Sequence, residues 1–285
     1  MIEKYYSGVI EQIYNRIGKE TRNIVMANYS NDFSIENLEV IRRYQSNEDN
    51  VFFAYSEFSY NTLVGAYEPF LDIICNMHRR FIGGSFDDFQ KECGVYYLHR
   101  QVLNSYYETG ECFREETVLL NEVAYEQRRM TMAIADMLKR LSEVRPLMIV
   151  INRFQMASKS SIETIKYLID NPCANIGIVL GVNAIVKGAD STVEVWDRIV
   201  ESLEDRSAIY YIGSAGPLKN NIKTTNDDEL YITMNFEQSI QEASNIMEFL
   251  DFEQARRGCR IIEHKLKFED AWIDEKSLRR FYMVY

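Results

Sequence analysis

Three groups of polar residues follow apolar runs in this chain, and these are the positions where side chains of the right type could act on a bound group. The first group, Asn28, Ser30, Asp32 and Ser34, follows Asn23-Ile24-Val25-Met26-Ala27. The second is Asn152-Arg153, after Leu147-Met148-Ile149-Val150-Ile151, and the third is Asn183, after Ile176-Gly177-Ile178-Val179-Leu180-Gly181. In a parallel-sheet fold the ligand site lies beyond the carboxyl end of such strands, which makes 28–35 the most informative stretch. The residue types there allow hydrogen bonding and little else. Asn152 accepts a hydrogen bond but brings no charge to a metal, and Arg153 is no base at ordinary pH. Asp32 repels a phosphate, and 28–35 contains neither Gly nor Lys to wrap and neutralise one.

Other candidate groups read as structural. His78, His99 and His264 are scattered without metal-ligand spacing. Ser158-Lys159 is a weak hint of Ser–Lys chemistry, and capping of a helix by Ser158 or Ser160 is the reading preferred. Glu111, Glu115, Glu116, Glu122 and Glu126 read as solvated helix faces without a His partner. Gly18-Lys19-Glu20-Thr21 precedes its strand instead of following it, so it reads as a helix end and turn. Tyr96-Tyr97 and Tyr106-Tyr107 offer area for a groove or partner surface, with core packing as the default.

The elements that position these groups follow from periodicity. Helical spacing covers 2–17, a stretch capped by Ser34, about 67–81 up to Gly83-Gly84, 86–107, about 113–141, 158–169 and 192–203. Strands are read at 23–27, 51–55, 147–151, 176–181 and 208–213. Unbroken apolar strands alternating with helices imply an α/β fold, a five-stranded parallel sheet covered on both faces. Beyond a loop at 213–225 the chain reads as helical, at about 236–250, 252–266 and 274–285, and the last helix ends without a cap, as in a fragment of a longer polypeptide.

Composition narrows the classes. The net charge of -11 disfavours direct binding of nucleic acid, and the Arg-Arg pairs at 42, 79, 128 and 279 each fall within helical patterns. Five Cys without C-x-x-C spacing fit reduced thiols and a cytoplasmic location. No apolar run is long enough to span a bilayer, so no membrane is expected.

Residues 146–168, with an apolar strand, the turn Asn152-Arg153-Phe154-Gln155 and then a helix, resemble the Walker B region of the signal-transduction NTPases with numerous domains, an AAA-like class. Val51 to Phe81, with Glu57 and Tyr67-Glu68-Pro69-Phe70, resembles that family's second strand and the helix after it. The resemblance covers roughly 20–215. It implies a three-layer P-loop-NTPase-like sheet, a Walker A position at Asn28, Ser30, Asp32 and Ser34, an acidic pair where Asn152 and Arg153 stand, and a γ-phosphate sensor where Gly181-Val182-Asn183 stands. At all three places the working residues are replaced, so no catalytic residue and no cofactor are expected, ATP with Mg²⁺ being disfavoured. Phe249 to Ala255 resembles the start of a tetratricopeptide-like array. The implied organisation is a degenerate NTPase-like domain at 1–225 with a helical insert at 83–142, then a tetratricopeptide-like start at 226–285. The implied role is a regulatory module of a cytosolic bacterial signalling protein. Its partners would be an output domain in the same polypeptide and a protein partner or second copy. The rival readings are retained ATP or GTP binding through unusual contacts, an enzyme site within 83–142, and a structural scaffold.

Overall fold

The computed structural model describes residues 2–30, 34–35, 38–46, 50–59, 63–113, 122–183, 193–213 and 236–268. In chain order the elements are α1 (Ile2–Arg16), β1 (Ile24–Tyr29), α2 (Glu39–Ser46), β2 (Phe52–Glu57), α3 (Phe70–Met77), α4 (Phe86–Glu92), α5 (Tyr97–Thr109) and α6 (Val123–Val144). They continue with β3 (Leu147–Asn152), α7 (Lys159–Asp170), β4 (Ile176–Asn183), α8 (Val193–Glu204), β5 (Ile209–Ile212), α9 (Phe236–Glu248) and α10 (Phe252–Phe268). The five strands form one all-parallel sheet in the order β2-β3-β4-β1-β5. β1 is therefore interior although it comes first.

Side-chain alternation along the strands separates two cores. Leu147, Ile149, Ile151, Ile178, Leu180 and Val182 point to the face covered by α3, α6, α7 and α8. Met148, Val150, Val179, Val25, Ala27 and Tyr29 point to the other face, with Tyr6, Ile10 and Ile13 of α1 and Ile41 of α2. The fold is thus α/β in three layers, as the unbroken apolar strands predict. Gly177 and Gly181 let α1 approach β4 closely. A Cβ at Gly177 would lie 2.8 Å from Ile17 Cδ1, and one at Gly181 would strike the Tyr6 hydroxyl and stand 2.8 Å from Asn152 Oδ1.

Several boundaries differ from the sequence reading for identifiable reasons. β1 runs on to Tyr29 and β4 to Asn183, because polar residues there still pair: Asn28 lies opposite Val182 and Tyr29 opposite Asn183. The helix assigned to a cap at Ser34 starts at Glu39, and the Ser34 hydroxyl donates to Glu57. The 67–81 helix begins at Phe70 and widens into a π-helical turn at His78–Ile82. The 86–107 helix divides at Gly94, whose φ of 71° suits a residue without a side chain. Part of the expected 83–142 insert, α6, lies on the sheet, with Ile134, Leu138 and Leu141 in the same core as Leu147. The loop beyond Gly213 and the helix at 274–285 fall outside the described residues.

Of the two cap candidates Ser158 and Ser160, Ser158 is the N-cap of α7, its Oγ accepting from the Ser161 N–H. Ser158→Ala is expected to lower stability by about 1 kcal/mol, read as a shifted urea midpoint with an unchanged slope. All five cysteines are free thiols. Among the described residues no helix is long and apolar enough to cross a membrane.

Candidate functional site

The carboxyl rim of the sheet at β3, β4 and β1 gathers those of the polar residues singled out above that the structure describes. β3 delivers Asn152 to the rim fully buried, and its Oδ1 accepts from the Tyr29 hydroxyl at 2.5 Å across the sheet. Tyr29 is itself wholly buried and packs edge-on to Tyr6 of α1, ring centroids 6.3 Å apart. Tyr6 has no exposed surface. Burial first, then the Glu57 charge, pushes its pKa far up, so its hydroxyl stays neutral at physiological pH. The Asn152 carbonyl accepts from the Phe58 N–H at 3.2 Å, which ties β3 to the chain leaving β2.

Arg153 adopts a left-handed conformation, φ 55° and ψ 38°, uncommon for a residue with a Cβ. The turn aims its guanidinium at Glu57, the last residue of β2, with Nη1 2.7 Å from Oε1 and both side chains 18% exposed. The same nitrogen donates to the Phe58 carbonyl at 3.4 Å. The other Glu57 oxygen, Oε2, accepts from the Ser34 hydroxyl at 2.8 Å and from the Ile35 N–H at 3.2 Å. One carboxylate therefore holds both the cation after β3 and the chain that follows β1. Gln155, in the 3-10 turn Phe154–Met156, accepts from the Asn183 N–H at 3.3 Å and so links β4 to the same turn.

The expected site residues are thus largely brought together. Asn152 joins Tyr29, Arg153 joins Ser34 through Glu57, and Asn183 joins the turn through Gln155. Asn28 is buried within β1, one residue before Tyr29, and Ser30 is half-buried just beyond the strand. Asp32 lies outside the described residues. Sequence reasoning missed Tyr6, Tyr29 and Gln155. Nothing in their local spacing marks them, since Tyr6 belongs to an ordinary apolar helical stripe. Glu57 carried a signal, an acid closing an apolar strand, but not its pairing with Arg153.

Tyr6, Tyr29 and Asn152 are each fully buried at this rim, and the cation after β3 is matched by Glu57. Among the described residues no cluster of three or more His, Cys, Asp or Glu side chains is placed to hold a metal ion. One expectation for the helical region is corrected. Glu126 is not a solvated carboxylate but is buried 2.8 Å from His99 Nε2, with Arg129 3.3 Å from its other oxygen. This pair joins α5 to α6 and is shielded by Tyr96, over whose ring Arg129 stacks at 3.8 Å.

No protein-family model matches the chain, and no curated protein matches it.

Proposed function

We propose that this chain is a regulatory or protein-interaction module of a cytosolic bacterial signalling protein, built on an NTPase-like scaffold whose phosphate site has been replaced by an internal polar lock. The observation that carries the reading is the Glu57 carboxylate, which binds Arg153 on one oxygen and Ser34 and Ile35 on the other. In a working NTPase of this kind the turn after β1 must wrap a phosphate, and the end of β3 must hold acids beside Mg²⁺. Here the chain after β1 is tied to β2, and the end of β3 carries an amide and a cation.

Support for the scaffold comes from adjacency. The resemblance requires the turn after the first strand and the ends of the third and fourth strands to surround one nucleotide. The order β3-β4-β1 makes those ends neighbours, although β1 and β3 are over a hundred residues apart. It also makes the β1/β4 boundary the switch point, since β1 leads toward β2 on one side of the sheet and β4 toward β5 on the other. The free thiols fit a reducing cytoplasm.

The module acts by conformation. A protein partner, or a second copy, shifts the arrangement of the α9–α10 pair, read as the start of a tetratricopeptide-like array, and so biases an output domain further along the polypeptide. Calorimetric titration with ATP and Mg²⁺ tests the retired cleft. The expected result is no saturable heat at ligand concentrations up to about 1 mM and no phosphate release. Magnesium-dependent binding at micromolar concentrations defeats the proposal and installs the rival of an ATP-binding switch.

A further inference from the structure

Polar contacts among the described residues fasten the helix pair α9–α10 to the α/β body, Gln127 donating to the Leu250 carbonyl among them. The Asn245 side chain accepts from the Cys112 N–H at 3.0 Å and donates to the Gly110 carbonyl at 3.1 Å. Phe249 enters the main core between Tyr67 and Tyr106, ring centroids 5.5 and 6.3 Å away. Gln254 donates to the Val64 carbonyl at 3.2 Å. Beside these contacts, between α9 and the body, lies a cavity of about 150 Å³.

Three carboxylates share this cavity. Glu242 comes from α9, Glu68 precedes α3, and Asp72 lies in its first turn. Oε2 of Glu68 and Oε2 of Glu242 both flank Gly65, 3.4 and 3.6 Å from where its Cβ would stand. Glu68 Oε2 accepts from the Gly65 N–H at 2.9 Å, and Asp72 Oδ1 accepts from the Tyr106 hydroxyl at 2.9 Å. Tyr106 is the titratable group that α5 contributes, and burial followed by Asp72 keeps its hydroxyl protonated. Among the described residues, α10 adds no side chain to the lining, and neither Lys nor Arg lines it.

We propose that the α9–α10 pair is a proton-operated latch on the α/β body, clamped when Glu242 is neutral and loosened when Glu242 ionises beside Glu68 and Asp72. Like charges around a shared cavity repel, and of the three only Glu242 leaves with the tail. Burial, then the charges of Glu68 and Asp72, pushes the Glu242 carboxyl up to about 7. Burial also raises Glu68, against the lowering effect of its bond from Gly65.

The sign follows from linkage. The clamped form holds the proton up to about pH 7, whereas a released Glu242 in water loses it near its ordinary value of 4.5. Clamping is therefore strongest below about pH 4.5, weakens as pH rises, and reaches its floor above about pH 7. The latch is independent of the nucleotide cleft and stands whether or not ATP binds there.

Hydrogen exchange of the full chain between pH 5 and 8, corrected for intrinsic exchange rates, tests it. Amides of α9 and of Cys112 are expected to lose protection by tenfold or more as pH rises, while β3 and β4 keep theirs. Glu242→Gln is expected to hold α9 protected at pH 8, and Asp72→Asn to move the inflexion to lower pH. Protection of α9 that does not change with pH, or a Glu242→Gln variant with the wild-type profile, overturns the proposal. Should Glu242→Gln lose protection throughout the sheet, Asp72→Asn decides alone, and an unmoved inflexion overturns the latch.

Discussion

Phe154→Ala is expected to lower the free energy of unfolding by about 3–5 kcal/mol, the range for deleting a buried aromatic side chain. Phe154 has no exposed surface. It sits one residue after Arg153 in the turn that leaves β3, and its ring lies 6.5 Å from Phe58 and 5.8 Å from Trp196, centroid to centroid. It thus bridges the chain leaving β2, the turn after β3 and the helix after β4. Removing it leaves a cavity between three elements that cannot collapse independently, so the upper part of the range is expected. Urea unfolding followed by tryptophan fluorescence measures the loss, and Trp196 reports directly on the vacated space. A cost below about 1 kcal/mol would show that the turn is not packed as described and that the rim is open to a ligand.

Glu57→Ala is expected to cost about 2–4 kcal/mol, between the values for exposed and buried ion pairs, since both partners are 18% exposed. Most of that cost arises from the Arg153 guanidinium, left partly buried without a counter-charge, and the rest from the Ser34 hydroxyl and Ile35 N–H, which lose their acceptor. The double variant Glu57→Ala with Arg153→Met separates these contributions. It removes the orphaned charge and is expected to be more stable than Glu57→Ala alone, with a coupling energy above about 1 kcal/mol. Exchange at the Ile35 amide should accelerate in both variants, because the restraint on the chain after β1 is gone in both. Were Glu57→Ala as stable as the parent chain and Ile35 equally protected, the polar lock would not hold the turn, and the proposed function would lose its main support.

Those two residues also mark where the sequence is readable and where it is not. The five strands are legible because each carries an apolar run that no amphipathic helix would produce, Leu147–Ile151 most clearly, and the alternation with helices gives the parallel sheet. The strand order is not legible, because it depends on which way each crossover travels, and no local pattern encodes that. The polar ends of β1 and β4 read as loop because Asn28 and Asn183 are poor strand formers, yet each faces a partner strand. Asn152 and Arg153 were visible as the place where chemistry would be expected. Their partners were not: Glu57 and Tyr29 lie far away in the chain and meet them only once β2, β3, β4 and β1 are aligned. His99 and Glu126 escaped for the same reason, being joined across two helices.

The interior position of the first strand also bears on how the molecule is made. Ile24 pairs with Ile178 and Met26 with Ile209, so β1 leaves the ribosome more than 150 residues before either of its neighbours. At ordinary elongation rates that delay is roughly 10–30 s. During that time Ile24, Val25 and Met26 have no strand to pair with, and the helix α1 just before them has an apolar face with no sheet to cover. β2 and β3 can align earlier, so the sheet grows from its far side, β1 joins once β4 emerges, and β5 adds last at the edge. A nascent chain stalled before β4 would present that apolar segment to chaperones, and a stall after β5 would not.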